Sequence, residues 1–410
     1  MNRTFLRNIE SLCPLCLEEV KAQLFLEDGQ VTISKTCIEH GSFSDVVDPD
    51  SNLYLRTISK RQKRHNPYGL VLPITTRCNL RCKWCYLPDK NIEFDAEKIK
   101  SIIDNCHHRF IVFSGGEPTL RKELPELITY VRRRYPNKFT VLLTNGLKLA
   151  EKSYVKELKD AGLQYVILSL NGFRQETHQH ISNQDLTEPK KKALKNLKKF
   201  NIWTILSMTL VKGLNEEEFV KIYQYGLRNI QFIRQIRLRN VSEVGLYKKD
   251  SHIYISDMLK LVSKATSLSI DEMCHNNLTA NGLFNTGNYF VLDIFKALKK
   301  RYAHSSWGSL RFWSHCVKLM GIFNTLRMFF EPFQPKETRL MFRIEIFSWP
   351  AASNIDLSEC RLFCIDHVTN EGEILPFWEA LYRNDKLRLS KEDDFNDRIE
   401  NFDLIGLKNL

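Results

Sequence analysis

From residue 69 onward the chain alternates two kinds of apolar pattern. Short runs of β-branched, aromatic and leucine residues recur at Leu70–Thr75, Phe110–Ser114, Thr140–Thr144, Tyr165–Leu170, Ile202–Leu210 and Gln231–Leu238. Runs of this length, closed by small polar residues or glycine, read as strands. Between them apolar residues return every three or four positions, roughly over Ala96–His107, Arg121–Arg133, Glu151–Ala161, Pro189–Phe200 and Glu216–Tyr225. That spacing predicts amphipathic helices. Asn215 followed by three glutamates marks the start of the last one, as a cap with acids in the first turn. Six β-then-α units in series imply a parallel sheet with right-handed crossovers, hence an α/β fold. This core spans about residues 64–245.

Upstream the pattern changes. Ala22–Leu26 and Val31–Lys35 flank Asp28-Gly29, a hairpin-like arrangement. On either side stand Cys13-Pro-Leu-Cys16 and Cys37-Ile-Glu-His40, two knuckles with the spacing of a tetrahedral Cys3His site. Zinc is the default occupant and a mononuclear iron the alternative. A module of this size, residues 1–60, lacks a sizeable core and needs a metal to fold. The charged run 59–65 reads as the link between module and core.

Cys78, Cys82 and Cys85 follow the first core strand as a C-x3-C-x2-C run. A [4Fe–4S] cube normally takes four thiolates; three on one loop leave an iron open to a ligand that is not protein. A zinc knuckle completed from elsewhere is the competing reading. Phe110–Ser114 runs into Gly115-Gly116-Glu117-Pro118, where glycines let a ligand approach the backbone, though an ordinary strand-to-helix turn has the same composition. Thr140–Thr144 and Tyr165–Leu170 end in Asn145-Gly146 and Asn171-Gly172. In a (β/α) barrel, ligands gather at such carboxyl ends.

Together these motifs resemble the radical S-adenosylmethionine (SAM) superfamily. The resemblance implies a partial (β/α)6 barrel of the TIM type, in agreement with the periodicity, with the cluster on Cys78, Cys82 and Cys85. It further implies that the open iron chelates the methionine part of SAM and that cleavage releases a 5′-deoxyadenosyl radical. Gly115, Gly116 and Glu117 match the motif that holds the methionine amino group. Thr144 and Ser169 become candidates for ribose or carboxylate contacts, with strand capping as the other role. Asn171 stands where the family usually has aspartate. Trp84 and Tyr86 are placed beside the adenine, or else in aromatic packing. The knuckle module and the stretches Val211–Glu218, Tyr254–Lys260 and Glu371–Phe377 resemble one archaeal and bacterial group. That group contains pterin C-methyltransferase-like enzymes and tetraether-lipid synthases, which join or methylate unactivated carbons.

The remaining stretch, 246–410, is expected to form an α+β domain covering the substrate. The group carries auxiliary iron–sulfur ligands there, and Cys274, Cys360 and Cys364 are the candidates, with Cys316 in reserve. Trp378 occupies a position where a further cysteine is expected, and a buried free thiol is the common fate of such residues. Between Ile294 and Phe330 seven lysines and arginines interleave with aromatic and aliphatic residues, with no acid. Such a stretch suits an anionic membrane interface; a core helix with a basic solvated face is the alternative. The formal charge of +12 fits a polyanionic partner of any kind, but no nucleic-acid signature accompanies it and no stable nucleic-acid complex is expected.

Eleven cysteines, several at metal spacing, argue for a reducing interior. No secretory or membrane-spanning segment is apparent, so a cytoplasmic enzyme, peripheral on the membrane surface, is expected. The resemblance adds a ferredoxin or flavodoxin as electron donor. It gives a lipid-like or small-molecule substrate, with a peptide as the alternative. A non-catalytic nucleic-acid-binding protein is the reading from another class, and the three-cysteine loop argues against it.

Overall fold

The computed structural model describes residues 3–58, 67–87, 93–241, 252–275, 289–303, 308–329, 342–361 and 363–389. The run 59–65 and the ends of the 294–330 and 246–410 stretches lie outside them or are only partly covered. Strands β1 (Arg3–Leu12), β2 (Glu19–Glu27), β3 (Gln30–Cys37) and β4 (Gly41–Asp48) form an antiparallel meander, followed by helix α1 (Ser51–Ile58). The predicted hairpin is its centre, closed by Asp28 and Gly29, both with positive φ. Its core is small, with Ile9, Ala22, Leu24 and Ile33 buried together.

The α/β core then unfolds in the predicted order. It runs β5 (Gly69–Thr75), α2 (Ala96–Asn105), β6 (Phe110–Gly115), α3 (Leu124–Arg134), β7 (Phe139–Thr144), α4 (Lys152–Asp160) and β8 (Tyr165–Ser169). There follow α5 (Gln175–Ser182), α6 (Thr187–Lys199), β9 (Trp203–Thr209), α7 (Glu218–Arg228) and β10 (Ile233–Arg239). All seven residues of β5 are buried, as expected for a parallel strand covered on both faces. Leu72, Phe113, Leu142, Leu168, Leu206 and Leu238 pack outward under the helices. Val71, Val112, Val141 and Ile167 pack on the inner face. Asp95 caps α2 by accepting from the Lys98 amide at 2.7 Å.

The C-terminal third contributes α8 (Ile255–Thr266), α9 (Ile270–His275), β11 (Tyr289–Asp293), α10 (Ile294–Tyr302), α11 (Gly308–Met320) and α12 (Ile322–Phe329). After these come β12 (Arg343–Phe347), α13 (Leu357–Cys360), β13 (Ile365–Val368), β14 (Ile374–Pro376) and α14 (Phe377–Leu389). A covering domain of its own was the expectation. Its strands instead join the barrel sheet at both edges, in the order β11-β12-β10-β9-β8-β7-β6-β5-β13-β14. β12 runs parallel to β10, and β13 parallel to β5, so eight parallel strands stand side by side. Short strands paired to partners distant in sequence leave little local signal, which is why the pattern did not announce them.

The antiparallel sheet docks on this C-terminal region. Arg7 donates to Asp356 at 2.6 Å and Glu359 at 3.2 Å, and buried Lys35 donates to the Ala352 carbonyl at 2.6 Å. Leu12 and Leu17 join an apolar cluster with Trp349, Ile355, Cys360 and Trp378. Among the described residues no helix is long and apolar enough to cross a membrane.

Candidate functional site

The three-cysteine loop leaves the carboxyl end of β5. Its thiols are half-buried and none is in a disulfide. The loop is held from two sides. From α5, the Ile181 carbonyl accepts from the Lys83 amide at 3.0 Å, and the Ser182 hydroxyl accepts from Cys82 Sγ at 3.7 Å. From the turn after β6, the amides of Gly116 and Glu117 donate to the carbonyls of Thr75 and Arg77, both at 2.8 Å.

Those contacts explain the two glycines. Gly115 has φ of +121°, and a Cβ there would lie 2.0 Å from the Thr75 carbonyl oxygen. At Gly116 a Cβ would lie 2.3 Å from the Arg77 oxygen. Only glycine lets the turn press against the cysteine loop. The donor set therefore fits an iron–sulfur cluster: three thiols on one loop, half open, with a bare backbone edge beside them.

Glu117 is fully buried (0% exposed) and faces inward. Its Oε1 accepts from the Thr119 amide (3.1 Å), the Thr119 hydroxyl (2.6 Å) and the Thr144 hydroxyl (2.7 Å), and its Oε2 accepts from the Asn145 amide (2.7 Å). This carboxylate ties β6 to β7. Thr144 is buried with it and also accepts from the Gly146 amide, so its expected ribose or carboxylate contact gives way to a bracing role. Asn171 likewise braces, accepting from the Thr209 amide at 2.9 Å while its carbonyl accepts from Asn215. Ser169 remains half-buried at the end of β8.

Trp84 stacks on His180, ring centroids 5.8 Å apart, and packs with Ile181 and Val211. Tyr86 leans on Trp349 at 5.7 Å, and burial pushes its hydroxyl pKa up. Each ring has aromatic packing within the protein and stays half-buried.

Sequence reasoning missed Lys190. On α6 it shares the inward stripe of Ala193, Leu194 and Leu197, a lysine on an apolar face at helical spacing, and that was the available signal. It is 4% exposed, and its Nζ donates to the Asn145 and Ser169 carbonyls at the ends of β7 and β8. Burial pushes its pKa down to about 8, against the pull of Glu117 and Cys82. Also missed was the polar row of β10. Ile236 and Leu238 face the helices, whereas Gln235, Arg237 and Arg239 alternate to the other face. Gln235 and Arg237 both reach Glu345 on β12, and Arg239 Nε donates to the Thr209 hydroxyl at 3.0 Å. Desolvation lowers the Arg239 pKa, opposed by Tyr86, Cys82 and Cys85, which brings this guanidinium within electrostatic reach of the cysteine loop.

The N-terminal set is assembled. Ligand atoms of Cys13, Cys16, Cys37 and His40 all lie within 4.8 Å of one another, the one such group among the described residues. Cys37 Sγ lies 3.5 Å from His40 Nδ1 and 3.9 Å from Cys16 Sγ. Burial resists the Cys37 thiolate, but hydrogen bonds from His40 and the backbone outweigh it and bring the thiol down to about 7. Three sulfurs and one ring nitrogen at this spacing fit a tetrahedral metal.

The C-terminal cysteines are not assembled. Cys274 and Cys316 belong to the helix-packed core, whereas Cys360 belongs to the cluster around Trp349. Cys364 is buried at the start of β13, its carbonyl accepting from the Tyr68 amide. Trp378, where a cysteine was expected, is buried and stacks on Phe347 at 5.3 Å and edge-on to Trp349 at 5.1 Å. Close-packed aromatic rings surround Cys360, while Cys274 packs against the separate helix-covered core, so the expected auxiliary set of Cys274, Cys360 and Cys364 is divided.

A three-thiol loop beside a diglycine turn, at the carboxyl ends of parallel strands, is the arrangement expected of a radical SAM site. The comparisons agree: residues 72–226 match the Radical SAM superfamily and residues 5–49 the HMPTM N-terminal zinc ribbon domain. The chain therefore carries a radical SAM domain. It is similar to a 7,8-dihydro-6-hydroxymethylpterin dimethyltransferase of Methanocaldococcus jannaschii, 33% identical over 300 residues, covering 64% of this chain and 59% of that protein. An Fe-coproporphyrin III synthase of Methanosarcina barkeri is 43% identical over 113 residues, 26% of this chain and 28% of that one. The chain thus spans less than two thirds of either relative. A crystal structure of Streptococcus suis SuiB bound to S-adenosylmethionine aligns at 22% identity over 49% of this chain and 47% of that chain, with a TM-score of 0.42.

Proposed function

We propose that this chain is an enzyme that cleaves SAM reductively and uses the resulting radical to take hydrogen from an unactivated carbon. One observation carries the reading. Three half-open thiols, a turn that tolerates only glycine, and the buried Lys190 ammonium meet at the carboxyl ends of β5 to β8. Cys78, Cys82 and Cys85 would hold a [4Fe–4S] cluster, which supplies the electron for cleavage, delivered in turn by a ferredoxin or flavodoxin.

The backbone carbonyls of Gly115 and Gly116 would accept from the methionine ammonium, while Glu117 and Thr144 hold that edge in place. Lys190 would balance the methionine carboxylate. The ring of Trp84 and α5 shield the loop from water, which protects a radical from side reactions. In the ribbon, Cys13, Cys16, Cys37 and His40 hold a zinc ion that fixes the small sheet.

For the substrate, the polar row of Gln235, Arg237 and Arg239 favours a molecule with hydrogen-bond acceptors or negative charge at the reacting end. Similarity to the Methanocaldococcus jannaschii dihydrohydroxymethylpterin dimethyltransferase makes alkyl transfer to a pterin-like heterocycle the first reading. Carbon–carbon bond formation or methylation on a lipid-like substrate is the second, supported by the apolar surface of α11 and α12.

Anaerobic, reconstituted protein tests both levels. Changing Cys78, Cys82 and Cys85 together to alanine should abolish 5′-deoxyadenosine production, and continued cleavage by that variant sinks the assignment. Deuterated reduced pterin, lipid extract and peptide fraction, supplied separately, should pass label to 5′-deoxyadenosine from one of them. Label arriving from lipid alone would displace the pterin reading, and label from peptide alone would displace both.

A further inference from the structure

Helices α11 and α12 divide their apolar residues between two faces. Phe312, Cys316, Met320 and Met328 point into the core. Leu310, Val317, Ile322, Phe323 and Leu326 point out, with Phe323 85% and Leu310 63% exposed. Only two other large apolar side chains among the described residues are as exposed, Phe5 and Ile38, both in the ribbon. A concentration of this kind within seventeen residues is more than scattered surface apolarity.

The positions follow helical spacing. On α11, Leu310 and Val317 are seven residues apart and share one face; Arg311 and Lys318 repeat that spacing one position further round. On α12, Ile322 and Leu326 form one exposed row and Phe323 and Arg327 the next. Gly321, with φ of +84°, makes the bend between the two helices. Each outward apolar row is therefore flanked by a basic row. Arg311, Lys318 and Arg327 make no ion pair among the described residues, and no acid occurs between 294 and 330. Arg301 is different, because both its Nε and its terminal nitrogen hold Glu272.

We propose that the outward face of α11 and α12 is a membrane-docking surface, in which the five apolar side chains enter the interface of an anionic bilayer and Arg311, Lys318 and Arg327 meet its headgroups. A protein partner or a second copy would need complementary acids, and this surface carries none of its own to offer a copy. An anionic lipid surface supplies negative charge without order, and amphipathic helices with flanking basic residues bind it in this way. The proposal stands apart from the substrate reading, because docking requires neither SAM nor turnover.

The test uses the full chain, reconstituted, with vesicles of phosphatidylcholine alone or mixed with phosphatidylglycerol. Co-sedimentation is expected with the anionic vesicles and much less with neutral ones, weakening as salt screens the charge. The exposed triple variant Ile322→Ser, Phe323→Ser, Leu326→Ser should lose at least tenfold in partition, and circular dichroism should be unchanged. Neutralising Arg311, Lys318 and Arg327 should weaken binding about fivefold per charge, on the order of a hundredfold together. Lys299→Glu with Lys300→Glu, on α10, should have a smaller effect than that triple. Failure to bind anionic vesicles, or binding that the serine variant retains, overturns the proposal. So does a serine variant that turns a dimer into a monomer by light scattering, since the face would then belong to a second copy. SAM cleavage in the serine variant should persist, so that docking and the site's chemistry fail or stand separately.

Discussion

Lys190 offers a test in which stability and ligand binding move apart. Its pKa is pushed from 10.5 to about 8, chiefly by burial. That displacement corresponds to roughly 3 kcal/mol by which the folded protein disfavours the charged form. The unfolded chain binds the proton more tightly, so between pH 8 and 10.5 the stability of the wild type rises with pH. Lys190→Met keeps the side chain's length and removes the titration. The orphaned carbonyls of Asn145 and Ser169 weaken the variant at every pH and cancel when two pH values are compared. Relative to wild type, the variant should lose about 2 kcal/mol between pH 7 and pH 9.5. Anaerobic urea unfolding of both proteins at the two pH values measures this directly. If Lys190 also balances the SAM carboxylate, the variant should bind SAM about 10- to 100-fold more weakly, as a charge-assisted hydrogen bond contributes roughly 1.5–3 kcal/mol. Wild-type affinity should decline above pH 8, and that decline should be absent in the variant. A stability difference identical at both pH values would show that the ammonium is not buried as described, and unchanged SAM affinity would remove it from the site.

Two further outcomes follow from neighbouring geometry. Gly116→Ala drives a Cβ to 2.3 Å and 2.4 Å from two carbonyl oxygens, so the variant should fold but lose iron and SAM binding; retention of both would disprove the tight turn. His108 holds Asp366 at 2.9 Å and, although burial opposes its charge, its pKa is raised to about 9. Its stabilisation, to which Cys106 also contributes, is therefore complete below pH 6.5 and disappears as pH rises through about 9, so Asp366→Asn should cost more at pH 6 than at pH 9.5 in urea unfolding, by no more than about 3 kcal/mol.

The sequence revealed those parts of the molecule whose physics is local. β5 is buried on both faces and β6 to β8 largely so, and each appears as a nearly unbroken apolar run, while the helices between them keep a clean period. The ribbon ligands were legible because two knuckles of fixed spacing have few other uses. The ligand contact expected of Glu117 comes from its match to a family motif; that four donors from Thr119, Thr144 and Asn145 satisfy it depends on β7 packing alongside, which no local pattern encodes. Cys274, Cys360 and Cys364 looked like a set only on paper. Trp378 signalled the outcome, since a large ring in a ligand position leaves no room for a cluster. The alternation Arg234-Gln-Ile-Arg-Leu-Arg239 lies in plain view at the end of the strand candidate Gln231–Leu238, but alternation alone does not say that its polar face meets the cysteine loop.

The pairing of β13 with β5 has a consequence for how the chain is made. On the ribosome β5 emerges early, but the neighbour on its outer side is separated from it by nearly 300 residues. At ordinary elongation rates that interval is roughly 15–60 s, during which one flank of the nascent sheet has backbone groups to pair with anything nearby. The ribbon waits as long, since Arg7 finds Asp356 and Glu359 only at the end of synthesis. Loading of the three-cysteine loop with iron and sulfur before release would therefore take place on a half-finished sheet. Truncation anywhere before residue 365 removes that flank from a chain that already carries every thiol of the loop.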